Sequence, residues 1–143
     1  MNIDVKNINP ISDYPLGEKR KEWLKTSTGK TLDEITLENV INGDIKPEDI
    51  RISPETLKLQ GEIAKKGNRP TITKNFERAS EMVAIPDDKI LATYNALRPY
   101  RSSKEELFEI ADELESKYSA VVISAFIKEA AEVYEQRGQL RKD

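Results

Sequence analysis

From Thr36 onward the apolar positions of the chain recur at helical spacing. Leu37, Val40 and Ile41 share one face of a short helix that Thr36 caps and Gly43 stops. Pro47 opens a further turn through Ile50. Ser53-Pro54-Glu55 is a stronger start, with an N-cap serine, proline at the first helical position and an acid in the first turn. Leu57, Gln60, Ile63 and Ala64 share the face of the helix that follows, and Gly67 supplies a left-handed stop. From about Pro70, the positions Ile72, Phe76, Ala79, Met82 and Val83 form an amphipathic stripe. Ile85-Pro86-Asp87-Asp88 ends that helix and starts another, whose apolar side is Ile90, Leu91, Tyr94 and Leu97 and which Pro99 stops. Ser103 and Glu106 fit a capping box that opens a helix carrying Leu107, Ile110, Ala111, Leu114 and Tyr118. A last stripe of Val122, Phe126, Ala130, Val133 and Tyr134 runs to Gly138. The pattern leaves open whether a break near Ser119 separates these two helices. The β-branched run Val121-Val122-Ile123 is not read as a strand, because no second strand exists to pair with it. These signals predict an all-α fold, a small helical domain of about five to six helices over residues 36–143.

The front of the chain behaves differently. Over residues 1–35 no helical or strand period holds, and Asp13-Tyr14-Pro15-Leu16-Gly17 and Ser27-Thr28-Gly29-Lys30-Thr31 read as turns. Yet this stretch carries Tyr14, Leu16, Trp23 and Leu24, which a solvated tail has little need of. Residues 1–35 are therefore expected to form an extended N-terminal arm packing on a partner subunit, with Tyr14, Leu16 and Trp23 as contacts.

Composition narrows the possible chemistry. The 143 residues contain no cysteine and no histidine, which excludes disulfides, thiolate nucleophiles, Cys/His zinc sites and histidine-based triads. Charged residues make up 34% of the chain, above the usual ~25%, so the core is small for the length. The signs are interleaved, and the net charge is −3. Affinity for nucleic acid rests on a basic face that neutralises phosphates, so no nucleic-acid partner is expected. No apolar run approaches a membrane span, and no signal peptide opens the chain. A cytoplasmic protein without a membrane partner is the expectation.

Each candidate site has a plainer explanation. Gly29-Lys30-Thr31 resembles the end of a phosphate-binding loop, but Leu24 stands where the pattern needs its first glycine, and no strand precedes it. Asp87 and Asp88 suit the positive end of a helix dipole and lack the surrounding oxygen ligands of a calcium loop. Lys19-Arg20-Lys21 is bracketed by Glu18 and Glu22 and reads as a solvated basic turn. Arg98, Tyr100 and Arg101 end a helix, where arginine suits the dipole; Arg and Tyr are also the residue types enriched at interfaces. The residues give no catalytic, cofactor-binding or metal set. They predict subunit-interface residues at Tyr14, Leu16, Trp23, Arg98, Tyr100 and Arg101.

Taken in order, Ser12-Asp13-Tyr14-Pro15-Leu16, Lys30-Thr31-Leu32-Asp33, Thr36-Leu37-Glu38-Asn39-Val40, Arg51-Ile52-Ser53-Pro54-Glu55-Thr56-Leu57, Asn75-Phe76-Glu77-Arg78-Ala79, Ile85-Pro86-Asp87-Asp88, Tyr94-Asn95-Ala96-Leu97-Arg98-Pro99-Tyr100-Arg101-Ser102 and Ile110-Ala111-Asp112-Glu113-Leu114-Glu115 carry a family likeness. From about Ser12 to near its end the chain resembles the small (gamma) subunit of adenosylcobalamin-dependent diol dehydratase and glycerol dehydratase. The resemblance implies a structural subunit of a hydro-lyase that converts 1,2-diols such as propanediol, or glycerol, to aldehydes by a radical route. It implies a large (alpha) subunit, a (β/α)₈ barrel holding substrate and metal ion, and a medium (beta) subunit. Adenosylcobalamin lies between those two, and the assembly is a dimer of heterotrimers. On this reading the small subunit supplies no catalytic residue and stabilises the large one. Members housed in bacterial microcompartments often carry a longer amphipathic N-terminal extension. Here Met1 to Ile11 precede the matching region and Pro10 limits any helix, so encapsulation through this segment is not expected, though another subunit could direct it. A free-standing helical protein-binding module is the alternative reading.

Overall fold

The computed structural model describes residues 7–142; the first six residues of the expected arm lie outside that range. The α-helices are α1 (Pro10–Asp13), α2 (Leu16–Lys19), α3 (Leu37–Ile41), α4 (Pro54–Lys66), α5 (Pro70–Met82), α6 (Asp87–Ala96), α7 (Lys104–Tyr118) and α8 (Val121–Gln136). Short 3₁₀ turns occupy Lys21–Trp23, Leu32–Glu34 and Pro47–Ile50. Among the described residues there is no strand, only a lone antiparallel bridge between Lys25 and Thr31. The fold is all-α, as the sequence pattern predicts. No helix among the described residues is long and apolar enough to cross a membrane.

Packing divides the chain into two units, one running through Ser80 and the other starting at Glu81. In the N-terminal unit, Ile8, Leu16 and Leu24 from the aperiodic front meet Leu59 and Ile63 of α4, with Trp23 half-buried against them. Gly61 lets α4 and α5 approach closely, since a Cβ there would stand 3.3 Å from Phe76 Cβ. Ser53 caps α4 by accepting from Thr56 N–H at 3.1 Å. The C-cap of α4 departs from expectation. Gly67 has negative φ, and the left-handed residue is Asn68 at φ 59°. Asparagine tolerates that region better than most side-chain-bearing residues, so the stop moves one position along.

The C-terminal unit is built on α7 and α8. Ser119, left-handed at φ 55°, breaks the two helices apart, and the β-branched run after it is helical. They lie antiparallel: Lys104 near the start of α7 pairs with Glu135 near the end of α8 at 2.6 Å, and Ser124 donates to Glu115 at 2.8 Å. Leu107, Ala111 and Leu114 of α7 pack with Ile123, Ile127 and Ala131 of α8, joined by Ile85 and Ala120. Ser103 and Glu106 form the predicted capping box.

The predicted helices exist, but several of their predicted core faces do not. On α8 the buried set is Ile123, Ser124, Ile127 and Ala131, one position along from the expected stripe, and Phe126 is exposed. On α6, Ile90, Thr93, Ala96 and Leu97 face inward, whereas Leu91 and Tyr94 are 62% and 68% exposed. On α5, the buried residues are Thr73 and Ser80, whose hydroxyls donate to carbonyls of the preceding turn. Leu37, Val40 and Ile41 of α3 are all exposed. For α6 and α8 the cause is a helix apolar on two sides, for which period alone cannot say which side the chain's own core will take.

Candidate subunit-interface surfaces

The N-terminal unit displays apolar groups by fixing its backbone with buried carboxylates. Asp13, 2% exposed, accepts from Asn9 N–H at 2.7 Å and from Arg20 Nε at 2.8 Å. The Asn9 N–H first, then Arg20 and Ser12, hold its pKa below the usual carboxylate value despite burial. This closes α1 and leaves Ile11 87% exposed, with Tyr14 beside it. With Pro10 they border an open groove of about 670 Å³ whose walls include Ile63 and Ala64 of α4 and Ile72 and Phe76 of α5.

A second buried carboxylate organises the loop after Trp23. Asp49 accepts from Lys46 N–H at 2.9 Å, from Thr26 Oγ1 at 3.0 Å and from Thr28 Oγ1, and pairs with Lys30 Nζ at 3.2 Å. These donors, led by the Lys46 N–H, drive its pKa far below the ordinary range. Lys30 also donates to the Asp44 carbonyl, and Thr31 is tied to Glu34. Gly29-Lys30-Thr31 is thus held in a structural clasp. The Lys19-Arg20-Lys21 turn is likewise engaged, Arg20 with Asp13 and Lys21 with Asp33.

In the C-terminal unit the α6–α7 turn is held from behind. Tyr134 Oη donates to the Leu97 carbonyl at 2.6 Å, and Ser102 Oγ donates to the Ala96 carbonyl at 2.9 Å. Tyr100 N–H donates to the Gln139 carbonyl at 2.7 Å, and Arg141 N–H to the Ser102 carbonyl at 2.9 Å. Arg141 grips Glu106 through both Nη atoms at 2.9 Å, which holds the Glu106 pKa down. Tyr100 sits at φ 64°, a left-handed backbone that is uncommon for a bulky residue and that these bonds maintain. Its side chain is 59% exposed, between the exposed Arg98 and Arg101. Among the described residues neither of those guanidinium groups has a carboxylate partner, whereas Lys89, Lys104, Lys117, Lys128 and Arg141 in the same unit all do.

The six sequence-predicted interface residues therefore separate into three kinds. Arg98, Tyr100 and Arg101 stand together on one turn, and Tyr14 lines the groove. Trp23 is half-buried, with the Arg20 guanidinium 5.3 Å from its ring centroid. Leu16 is 1% exposed inside the N-terminal core. Its side chain belongs to this chain's own packing, in one cluster with Ile8, Leu24, Leu59 and Ile63, and it is not open to a partner. The sequence pattern does not mark Ile11, and the apolar residues it places on α3 and α6 (Leu37, Val40, Ile41, Leu91 and Tyr94) are exposed instead of buried. The available signal was that α6 and α8 carry more apolar positions than one helix face can hold.

Among the described residues no group of three or more acidic side chains is placed to hold a metal ion. The groove in the N-terminal unit is bordered by aliphatic and aromatic groups together with Gln60, Lys66, Asn68 and Arg69.

The comparisons with known proteins agree with a non-solitary role. A family model described as the dehydratase small subunit matches residues 10–141. The chain is similar to the propanediol dehydratase small subunit of Citrobacter freundii, with 55% identity over 133 residues, covering 93% of this chain and 77% of the relative. It is similar to the protein of the same description from Salmonella typhimurium strain LT2, with 56% identity over the same lengths and shares.

Proposed function

The chain belongs to the dehydratase small-subunit family, and from that premise we propose that it is the small, non-catalytic subunit of a coenzyme B12-dependent diol dehydratase. Its role is to stabilise the large catalytic subunit, in an assembly with a medium subunit as a dimer of heterotrimers. Adenosylcobalamin and the substrate are held by those partners; when bound there, the cofactor supplies the radical that removes a hydrogen from a 1,2-diol or glycerol. The arm residues Tyr14 and Trp23 and the Arg98–Arg101 turn contribute to the subunit contacts. The complex works in the cytoplasm or within a bacterial microcompartment.

The observation that carries this reading is the surplus of exposed apolar groups. Among the described residues, Ile11, Leu37, Ile41, Ile50, Ile52 and Leu91 are all more than 60% exposed. Single exposed apolar residues are ordinary, but so many large ones on a chain with a small core is what a subunit surface shows.

The test is reconstitution. The three subunits are combined with adenosylcobalamin and a 1,2-diol, and aldehyde formation and thermal inactivation are followed with and without this chain. Loss of turnover or a faster inactivation in its absence is the expected outcome. Equal turnover and equal half-life from the large and medium subunits alone would remove the stabilising role.

A further inference from the structure

We propose that the outward face of α6 together with the 98–101 turn is one continuous docking surface for an acidic, carboxylate-bearing patch on the large dehydratase subunit. The inference rests on the subunit reading above and specifies where and by what chemistry the contact forms. Leu91, Tyr94 and Arg98 follow one another at steps of three and four, so they share one side of the helix and its C-terminal extension. The chain's own core uses the opposite side, through Ile90, Thr93, Ala96 and Leu97.

Three observations give this face its direction. Among the described residues Arg98 and Arg101 lack carboxylate partners, whereas Lys89, Lys104, Lys117, Lys128 and Arg141 of the same unit have them, so the 98–101 turn is locally positive and asks for acid. Its residue types, two tyrosines and two arginines with a leucine, are those that dominate binding energy once desolvated. Its backbone is fixed in advance by Tyr134, Ser102 and the Gln139–Arg141 tail, including the left-handed Tyr100. A surface held rigid before contact loses less freedom on binding, so the restraint favours association.

The experiment measures binding of the full chain to the purified large–medium subunit complex as a function of salt. R98E/R101E is expected to weaken binding about tenfold or more and to flatten the salt dependence, with helical content by circular dichroism unchanged. Tyr94→Ala is the second variant, lying on an exposed helix face where folding is not at risk; it is expected to weaken binding while leaving the salt slope intact. K58E, a charge reversal in the N-terminal unit, serves as the control and is expected to bind normally. Wild-type binding with unchanged affinity in both R98E/R101E and Tyr94→Ala would overturn the docking surface while sparing the subunit reading. Failure of the wild-type chain to bind would overturn the subunit reading itself. If sedimentation shows the isolated chain to be a dimer that R98E/R101E dissociates, the occupant is a second copy and the acidic large-subunit patch is wrong.

Discussion

The two units of the molecule reach stability by different means. From Glu81 on, two long capped helices close over an aliphatic core, and the ion pairs across them lie at the surface. Up to Ser80, the two longer helices α4 and α5 are accompanied by turns of three to five residues too short to hold themselves together. There the backbone is stitched by two nearly inaccessible carboxylates, each taking several donors. A chain with few apolar residues can order aperiodic segments this way, because each buried acceptor satisfies several groups that no helix or sheet would pair.

The largest perturbation that separates the units is a cavity. Leu114→Ala is expected to destabilise the C-terminal unit by about 2–5 kcal/mol, read as a lower melting temperature in far-UV circular dichroism. Trp23, the only tryptophan, lies in the other unit and reports on it separately. If its fluorescence melts together with the helices in the variant, the units unfold as one and the contrast between them is lost.

The complementary change is Asp49→Asn. It turns a carboxylate oxygen facing Lys30 and the Lys46 N–H into an amide that cannot accept from all its present donors. Trp23 fluorescence is expected to melt several degrees lower, with the α7–α8 transition unmoved. Acid does the same reversibly. Asp13 and Asp49 have folded pKa values below their unfolded ones, so their stabilisation is complete above about pH 4 and is lost as pH falls through the folded values. Glu106 and Glu113 are also lowered, but they are half exposed and screened. In an acid titration the tryptophan signal should therefore change at higher pH than the helical signal; the reverse order would show that the carboxylates do not hold the N-terminal unit.

Smaller effects sharpen the same contrast. Ser103→Ala removes an N-cap from α7 and should cost about 1 kcal/mol in the C-terminal transition alone, measured by urea denaturation. Lys128→Met breaks surface pairs with Asp112 and Glu115 and is expected to leave both transitions in place.

What was legible in the sequence follows the same division. Caps at Thr36, Ser53 and Ser103 and the breaks at Pro99 and Gly138 act locally, so they place helix ends correctly. Which face of α6 or α8 enters the core depends on neighbours distant in sequence, and both faces are apolar enough to qualify. The packing of the front was less visible still. Leu16 and Leu24 meet residues some 40 positions away, and nothing in the spacing of Asp13 or Asp49 marks them as buried acceptors. Arg98, Tyr100 and Arg101 were readable as a surface by residue type. Trp23 stands out by residue type in an aperiodic segment, but nothing in its spacing says that its own chain covers part of it.

One detail at the start of α8 sets where this protein can be cut. Ala120 offers no capping side chain, and the free N–H groups of Val122 and Ile123 are met instead by the Glu81 carboxylate at 2.9 and 2.8 Å. A recombinant fragment beginning at Ile85 would carry the whole aliphatic core and still leave that helix end uncapped. One beginning a few residues earlier would not. The usable boundary is thus dictated by a single acid some 40 residues upstream of the helix it completes.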